Sequence, residues 1–312
     1  MVSKHRFPLF LSNDVFYALS PSVEARLFLF LKEFFMNAKR SNVTTRAVIR
    51  IITLVSIFNC FVAAQNTLTV PSKGMRSISR AMIKAKPGDT ILVKPGKYRE
   101  HVIVEPGVTL IAKERFKAVI NGKGRGTVVT LGSDAAIIGF EIRNGTHGVL
   151  SKGSNSKIEK CLIVNNLGSG VISIGNLCEI KNTYIVYNRG AGIQGQDVRS
   201  DGSSAINHNT IAYNASHGIA LDGAEQIMVK NNIIAYNERL AVKTGPDSRN
   251  IMLINNNFYG NHGRLHVLPS GNFALDPFFT APKSRDMDFS LLENSPCRKK
   301  GDDGKDLGVL IR

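Results

Sequence analysis

From residue 139 onward, apolar and polar positions recur on a fixed long period. Asn is followed four residues later by Gly and then Val or Ile: Asn144 leads to Gly148-Val149, Asn166 to Gly170-Val171, Asn188 to Gly192-Ile193 and Asn214 to Gly218-Ile219. Asn237 leads to a degraded copy, Ala241-Val242, and Asn261 marks the end; the Asn-to-Asn spacings are 22, 22, 26, 23 and 24 residues. Eight residues before each Asn, from Asn166 onward, stand Ile158, Ile180, Ile206, Val229 and Leu253. Three before it stand Ile163, Ile185, Ile211, Ile234 and Phe258, and six before it Lys160, Asn182, His208, Asn231 and Asn255.

Each unit thus supplies three apolar segments of three to five residues, too short for helices and right for strands, with β-branched residues on the inward columns. A unit of this length winds one coil of three strands and three turns. Successive coils pair in parallel at about 4.8 Å, stacking Ile on Ile in the core. Asn on Asn at a turn lets amides bond along the stack and tolerates left-handed backbone, and Gly at the matching corner avoids a Cβ clash. A leucine-rich repeat has an overlapping period of about 20–29 residues but requires Leu at several fixed positions. Ile and Val dominate here instead. The expected fold is all-β, a single-stranded right-handed parallel β-helix.

The ends are read separately. Ser77–Lys86 places Ile78, Ala81, Met82 and Ala85 on one face of a short helix, an apolar plug for the open stack, before Gly88-Asp89 turns the chain into a first strand at Thr90–Val93. The run Ala85-Lys-Pro-Gly88-Asp-Thr-Ile-Leu-Val-Lys-Pro-Gly96-Lys-Tyr-Arg-Glu100, the Asn/Gly coils at 139–261 and the tail Ala274-Leu-Asp-Pro-Phe-Phe279 with Ser295-Pro-Cys297 and Asp306-Leu-Gly308 together resemble the pectin-lyase-like superfamily. The resemblance spans about 70–310. It implies the fold, an N-terminal capping helix, and a tail that covers the far end. It leaves activity open, since the superfamily holds lyases, hydrolases, esterases, epimerases and adhesins.

Residues 46–64 change the picture of where the domain begins. A basic flank, Arg46 to Arg50, precedes a 14-residue apolar run ending Val62-Ala63-Ala64. This reads as a signal peptide cleaved before Gln65, because a spanning helix needs about 20 residues. Residues 1–35 then form an upstream extension with Met36 the natural start, 36–64 the signal, and 65–312 the β-helix domain, secreted or periplasmic. Three cysteines remain, Cys161, Cys178 and Cys297. They form no complete disulfide framework and are expected as buried free thiols. Charge is uneven. Residues 65–125 hold 13 Lys and Arg against 4 Asp and Glu, which points to anionic polymers or surfaces. The basic end has few interleaved aromatics, which disfavours nucleic acid.

The candidate chemistry sits in the enlarged coil between Asn188 and Asn214, whose extra residues fall in Gly195–Ser204. A polyuronate lyase or epimerase needs a base at the sugar C5 and cations on the uronate carboxylate. Lys243 and Arg199 are the catalytic candidates, Lys243 as base and Arg199 on the carboxylate. Arg249 and Asp247 are the substrate-binding candidates. Asp197, Asp201 and Asp222 are the carboxylates that would hold calcium or sugar hydroxyls. The alternative is a polar turn carrying solvated charge. A paired-aspartate hydrolase signature and an Arg-containing lyase motif are both absent from the repeat.

His147 and His217 share a phase but lie three coils apart, about 14 Å, far too long for one zinc ion. Asn144-Gly-Thr and Asn214-Ala-Ser match a glycan acceptor, yet both Asn belong to the repeat, so a structural role is expected. Two functions remain. One is a secreted monomer that binds or processes an acidic polysaccharide or cell-envelope glycan. The other is a noncatalytic envelope or matrix scaffold.

Overall fold

The computed structural model describes residues 65–200, 206–263 and 268–310. The upstream extension and the signal peptide expected at 1–64 lie outside the described residues. The β-branched segments form three parallel sheets. Sheet one has nine strands, from Thr67–Val70 to Met252–Ile254. Sheet two has seven, from Val102–Val104 to Val242–Thr244, and sheet three has eight, from Gly96–Tyr98 to Asn257–Tyr259. Strand order in every sheet advances by one coil at a time, so the chain is a parallel solenoid of about 8 turns.

Like residues stack as the period requires. On sheet three Ile163, Ile185, Ile211, Ile234 and Phe258 pair in register, and the four isoleucines are fully buried. Ile158, Ile180, Ile206, Val229 and Leu253 do the same on sheet one. Each such isoleucine contributes roughly 1.5–3 kcal/mol by leaving water.

The Asn column is a hydrogen-bonded ladder. Asn166, Asn188, Asn214 and Asn237 each donate Nδ2 to Oδ1 of the next member, ending on Asn261, at 2.9–3.0 Å. Two expectations are corrected. Asn144 is not the first rung: Gly145 donates its N–H to Asn166 Oδ1, because Arg143 pairs with Val164 and the corner of that coil is one residue shorter. The left-handed backbone also belongs to the residue before each rung, at Asn165, Tyr187, Tyr213 and Tyr236 with φ of 54–56°. The ladder residues then aim their amides inward at the corner carbonyls, where they are buried and satisfied.

A second ladder lines the corner between sheets one and three. There Thr183 N–H donates to Asn209 Oδ1, and Asn209, Asn232, Asn256 and Asn272 are linked at 2.9–3.1 Å. Lys160, Asn182, His208, Asn231 and Asn255 are the left-handed residues that precede it.

The ends differ from expectation. The first strand is Thr67–Val70, ahead of the helix, and pairs with Thr90–Val93. The helix is one short turn, Ile78–Met82, capped by Ser77, with Ile78 and Ala81 fully buried. Glu100 fixes it from across the first coil by accepting the N–H groups of Ile78 and Ser79, both at 2.9 Å.

The tail does not simply close the far end. Asn272 and Phe273 finish the last coil. The chain then runs along the outer face of sheet three. There Phe279, Phe289, Cys297 and Leu307 pack on Val164, Tyr184, Val186, Ala212 and Ile233. Tyr187, Tyr213 and Tyr236 stack at 5.2 and 5.0 Å beneath it, and Phe289 lies 6.0 Å from two of them. Such contacts, about 0.5–1.5 kcal/mol each, offset the roughly 1–2 kcal/mol cost of an aromatic residue in left-handed backbone. Among the described residues Cys161, Cys178 and Cys297 are buried free thiols. Among the described residues no helix is long and apolar enough to cross a membrane.

Candidate functional site

The enlarged coil forms the longest strand of sheet two, Ile193–Arg199, with a register shift against Ile174 and Asn176. Inward positions continue the core, so Gln194, Gln196, Asp197 and Arg199 face outward while Val198 is buried in the core. Asp222 follows Gln196 in register, and Lys243 follows Ala220 one coil on. The Lys243 ammonium lies 3.6 Å from Asp222 Oδ1, both half-exposed. Arg199, Glu225 and Arg249 stack through backbone bridges on three successive coils, and Arg199 Nε lies 3.4 Å from Glu225. The carboxylate of Asp197, itself in left-handed backbone, lies over Gly223, and that of Asp222 over Gly245. Asp247 stands exposed on the turn leading to Arg249, and Asp201 lies outside the described residues.

The expected site is therefore brought onto one side of the solenoid, and its charges answer one another. Lys243 serves Asp222, and Glu225 serves Arg199. Calcium takes about 6–8 oxygen ligands. Among the described residues no three metal-ligating side chains converge, and Asp222 is engaged by Lys243. His217 is half-buried beside this pair. Burial first, and then Lys243 and Arg239, lower its pKa. His147 accepts the N–H of Ser169 at Nδ1, 3.1 Å away, a structural role.

The opposite end has a different electrostatic character. Of its four acids, Glu100 is spent on the capping helix. Asp89 accepts the N–H groups of Lys86 and Asn66, which hold its carboxyl below the usual range. Among the described residues, none of the thirteen Lys and Arg of 65–125 makes an ion pair; the nine pairs lie between Glu141 and Asp306.

On this end, among the described residues, the tail cluster stops short of the outer face of sheet three. Lys97, Val119 and Glu141 follow one another in register, as do Asn121 and Arg143. With Arg99 and Asn144 they line a cleft of about 250 Å³. Arg143 donates to Glu141 at 2.8 Å, and that glutamate is only 15% exposed. The next residues in these columns, Leu162 and Val164, already belong to the cluster that the tail covers. The sequence flagged the charge of this region but not the cleft, because the coils before Asn144 lack the Asn/Gly marker that fixes register.

A protein-family model described as "Right handed beta helix region" matches residues 118–275. Among solved structures the chain is similar to pectate lyase Pel9A at 16% identity, covering 80% of this chain and 97% of that one with a TM-score of 0.47. It is similar to the alginate lyase from Paenibacillus sp. str. FPU-7 at 18%, covering 62% and 76%, with a TM-score of 0.44. It is also similar to the pectin methylesterase from Aspergillus niger at 11%, covering 70% and 93%, with a TM-score of 0.36. Likenesses this distant bear on neither activity nor site. No curated protein matches the sequence.

Proposed function

The chain belongs to the right-handed β-helix family, and on that scaffold we propose that it is an exported protein that binds an acidic polysaccharide along its N-terminal coils. The observation that carries this reading is the set of thirteen cations without an ion-pair partner among the described residues, on a rigid stack that fixes their spacing. Unpaired Lys and Arg on one end attract a polyanion over about a Debye length, near 8 Å at physiological salt. The two aromatics of 65–125 are turned away: Tyr98 is buried and Phe116 packs edge-on to Tyr184. Among the described residues there the exposed ring is the imidazole of His101, tied by Nδ1 to Thr127 O, and a single ring gives no run of stacking platforms, which favours a polysaccharide over a nucleic acid. Export rests on the signal-like segment 46–64.

Affinity electrophoresis of the full chain in gels containing polygalacturonate, alginate or a neutral glucan tests this. Retardation by the acidic polymers alone, weakening as salt rises, is expected. Equal mobility in all three gels would sink it.

A second reading, β-elimination or epimerisation, is favoured by the placing of Lys243, Asp222, Arg199 and Arg249 on one side of adjacent coils. In it Lys243 would be the base, Arg199 and Arg249 would meet uronate carboxylates, and Asp247 a hydroxyl. Absorbance of unsaturated uronate with pectate or alginate, abolished in Lys243→Ala, supports it; a flat trace across a substrate panel leaves a binding protein or scaffold.

A further inference from the structure

We propose that the cleft on the N-terminal coils of sheet three is a subsite for one uronate residue of the bound polymer; this rests on the polysaccharide reading above and names the chemistry it selects. The cleft has three zones. At one end stand Lys97 and Arg99, cations with no ion-pair partner among the described residues. In the middle Val119 forms an apolar floor between Lys97 and Glu141 in the same column. Asn121 stands on the same strand as Val119, and at the other end Glu141, paired with Arg143 at 2.8 Å, and Asn144 complete the lining.

These zones match the parts of one hexuronate ring. The two cations take the carboxylate, as charge-assisted donors do. Val119 meets the C–H face of the ring. Asn121, Asn144 and Glu141 take hydroxyls, with Glu141 supplying acceptor oxygens beside its 2.8 Å contact with Arg143. Lys97 and Glu141 stand two coils apart, about 9.6 Å at about 4.8 Å per coil, which is the span of one ring with its substituents. A volume of about 250 Å³ is below the usual range for drug-sized ligands, so it bounds the occupant to a single ring. Glu141 also sets the class, since a second anionic group at that end, such as a ring sulfate, would face a nearly buried carboxylate. The tail begins one coil further on, so the polymer continues away from it, toward the capping helix.

Titration calorimetry of the full chain with trimers of galacturonate and guluronate, their carboxyl-reduced counterparts and a sulfated trisaccharide tests the assignment. At least one uronate trimer is expected to bind, with the reduced trimer and the sulfated sugar weaker by about tenfold or more, the loss of a charge-assisted contact. Lys97→Ala/Arg99→Ala should lose trimer binding by a similar factor while keeping its melting temperature, and should weaken retardation by polygalacturonate only in proportion to the two charges removed. Glu141→Gln should narrow the gap between the uronate and sulfated trimers. Polymer binding with no trimer binding, or an unaffected double variant, would overturn the subsite and leave the broader reading standing. A wild-type chain indifferent to acidic polymers would remove both.

Discussion

Asn214 and Asn237 are joined by two hydrogen bonds, from the backbone N–H and the side-chain Nδ2 of Asn214, both received by the single Oδ1 of Asn237 at 3.1 and 2.9 Å. Asn214 Oδ1 is used in the same way by Asn188. One side chain thus completes the corner of its own coil and that of the preceding coil.

Replacing Asn214 with Ala should therefore cost about 2–4 kcal/mol, because several buried partners, including Ile185 O, are left without a donor or acceptor. The midpoint of urea unfolding reads this directly. The same burial predicts that Asn214 carries no glycan when the chain is made in a glycosylating host, which peptide mass mapping checks.

Gly170 lies within van der Waals range of the next coil at every side. A Cβ there would sit 2.5 Å from Ile185 Cγ2 and 2.8 Å from Gly192 O. Gly170→Ala should destabilise by about 1–3 kcal/mol through overpacking, although its backbone angles suit any residue. Differential scanning calorimetry would show an unchanged melting temperature if the corner can open.

Acid should loosen the tail first. Burial pushes the Asp303 carboxyl up, but hydrogen bonds from Lys305 and the neighbouring His208 outweigh it and bring it down to about 2. A carboxyl depressed from 3.8 stabilises above that value, and the contribution is lost as pH falls through about 2. His208 is lowered chiefly by burial, against the pull of Asp303, so it too binds more protons unfolded and its share is lost as pH falls below 6.5. His208→Asn should flatten the pH dependence of the unfolding midpoint between pH 7 and 5, and Asp303→Asn should flatten it below pH 4. Parallel curves for variants and wild type would contradict the coupling.

The thiols should be inert. Burial raises Cys161, Cys178 and Cys297 to about 12. Since the thiolate is the reactive form, alkylation mapped by mass spectrometry should miss all three until denaturant is added.

Phe289 touches Tyr184, Tyr187, Tyr213 and Phe279. Phe289→Ala should cost about 3–5 kcal/mol and expose the tyrosine stack. With no Trp in the chain, tyrosine emission reports the change without interference.

The stacking of identical residues explains what was legible in the sequence. Ile163, Ile185 and Ile211 announce one column because a parallel solenoid repeats each environment, so a period read on paper is a contact in space. The second ladder escaped notice because its early rungs are Cys161 and Thr183, which satisfy the corner without being Asn. Asn144 misled for the opposite reason, being the right residue one position out of phase. Neither the path of the tail nor the cleft had a local signal. The tail is held by contacts distant in sequence, such as Tyr236 to Asp276 across 40 residues and Tyr187 to Pro282 across 95, and the cleft is assembled from outward positions on three coils before the marker begins. Of the candidate site, the side of the solenoid was legible and the ion pairing within it was not.

The two corners that carry amide ladders leave a third, between sheets two and one, without one. The surplus residues of the enlarged coil fall at that corner, and on either side of it Ile193 still pairs with Ile219 and Ile180 with Ile206. Chain length there is decoupled from the wall on either side. A foreign peptide spliced between Arg199 and Ile206 would add chain at this corner without shifting any column, which makes it the place where such a scaffold can change what it touches while its frame stays the same.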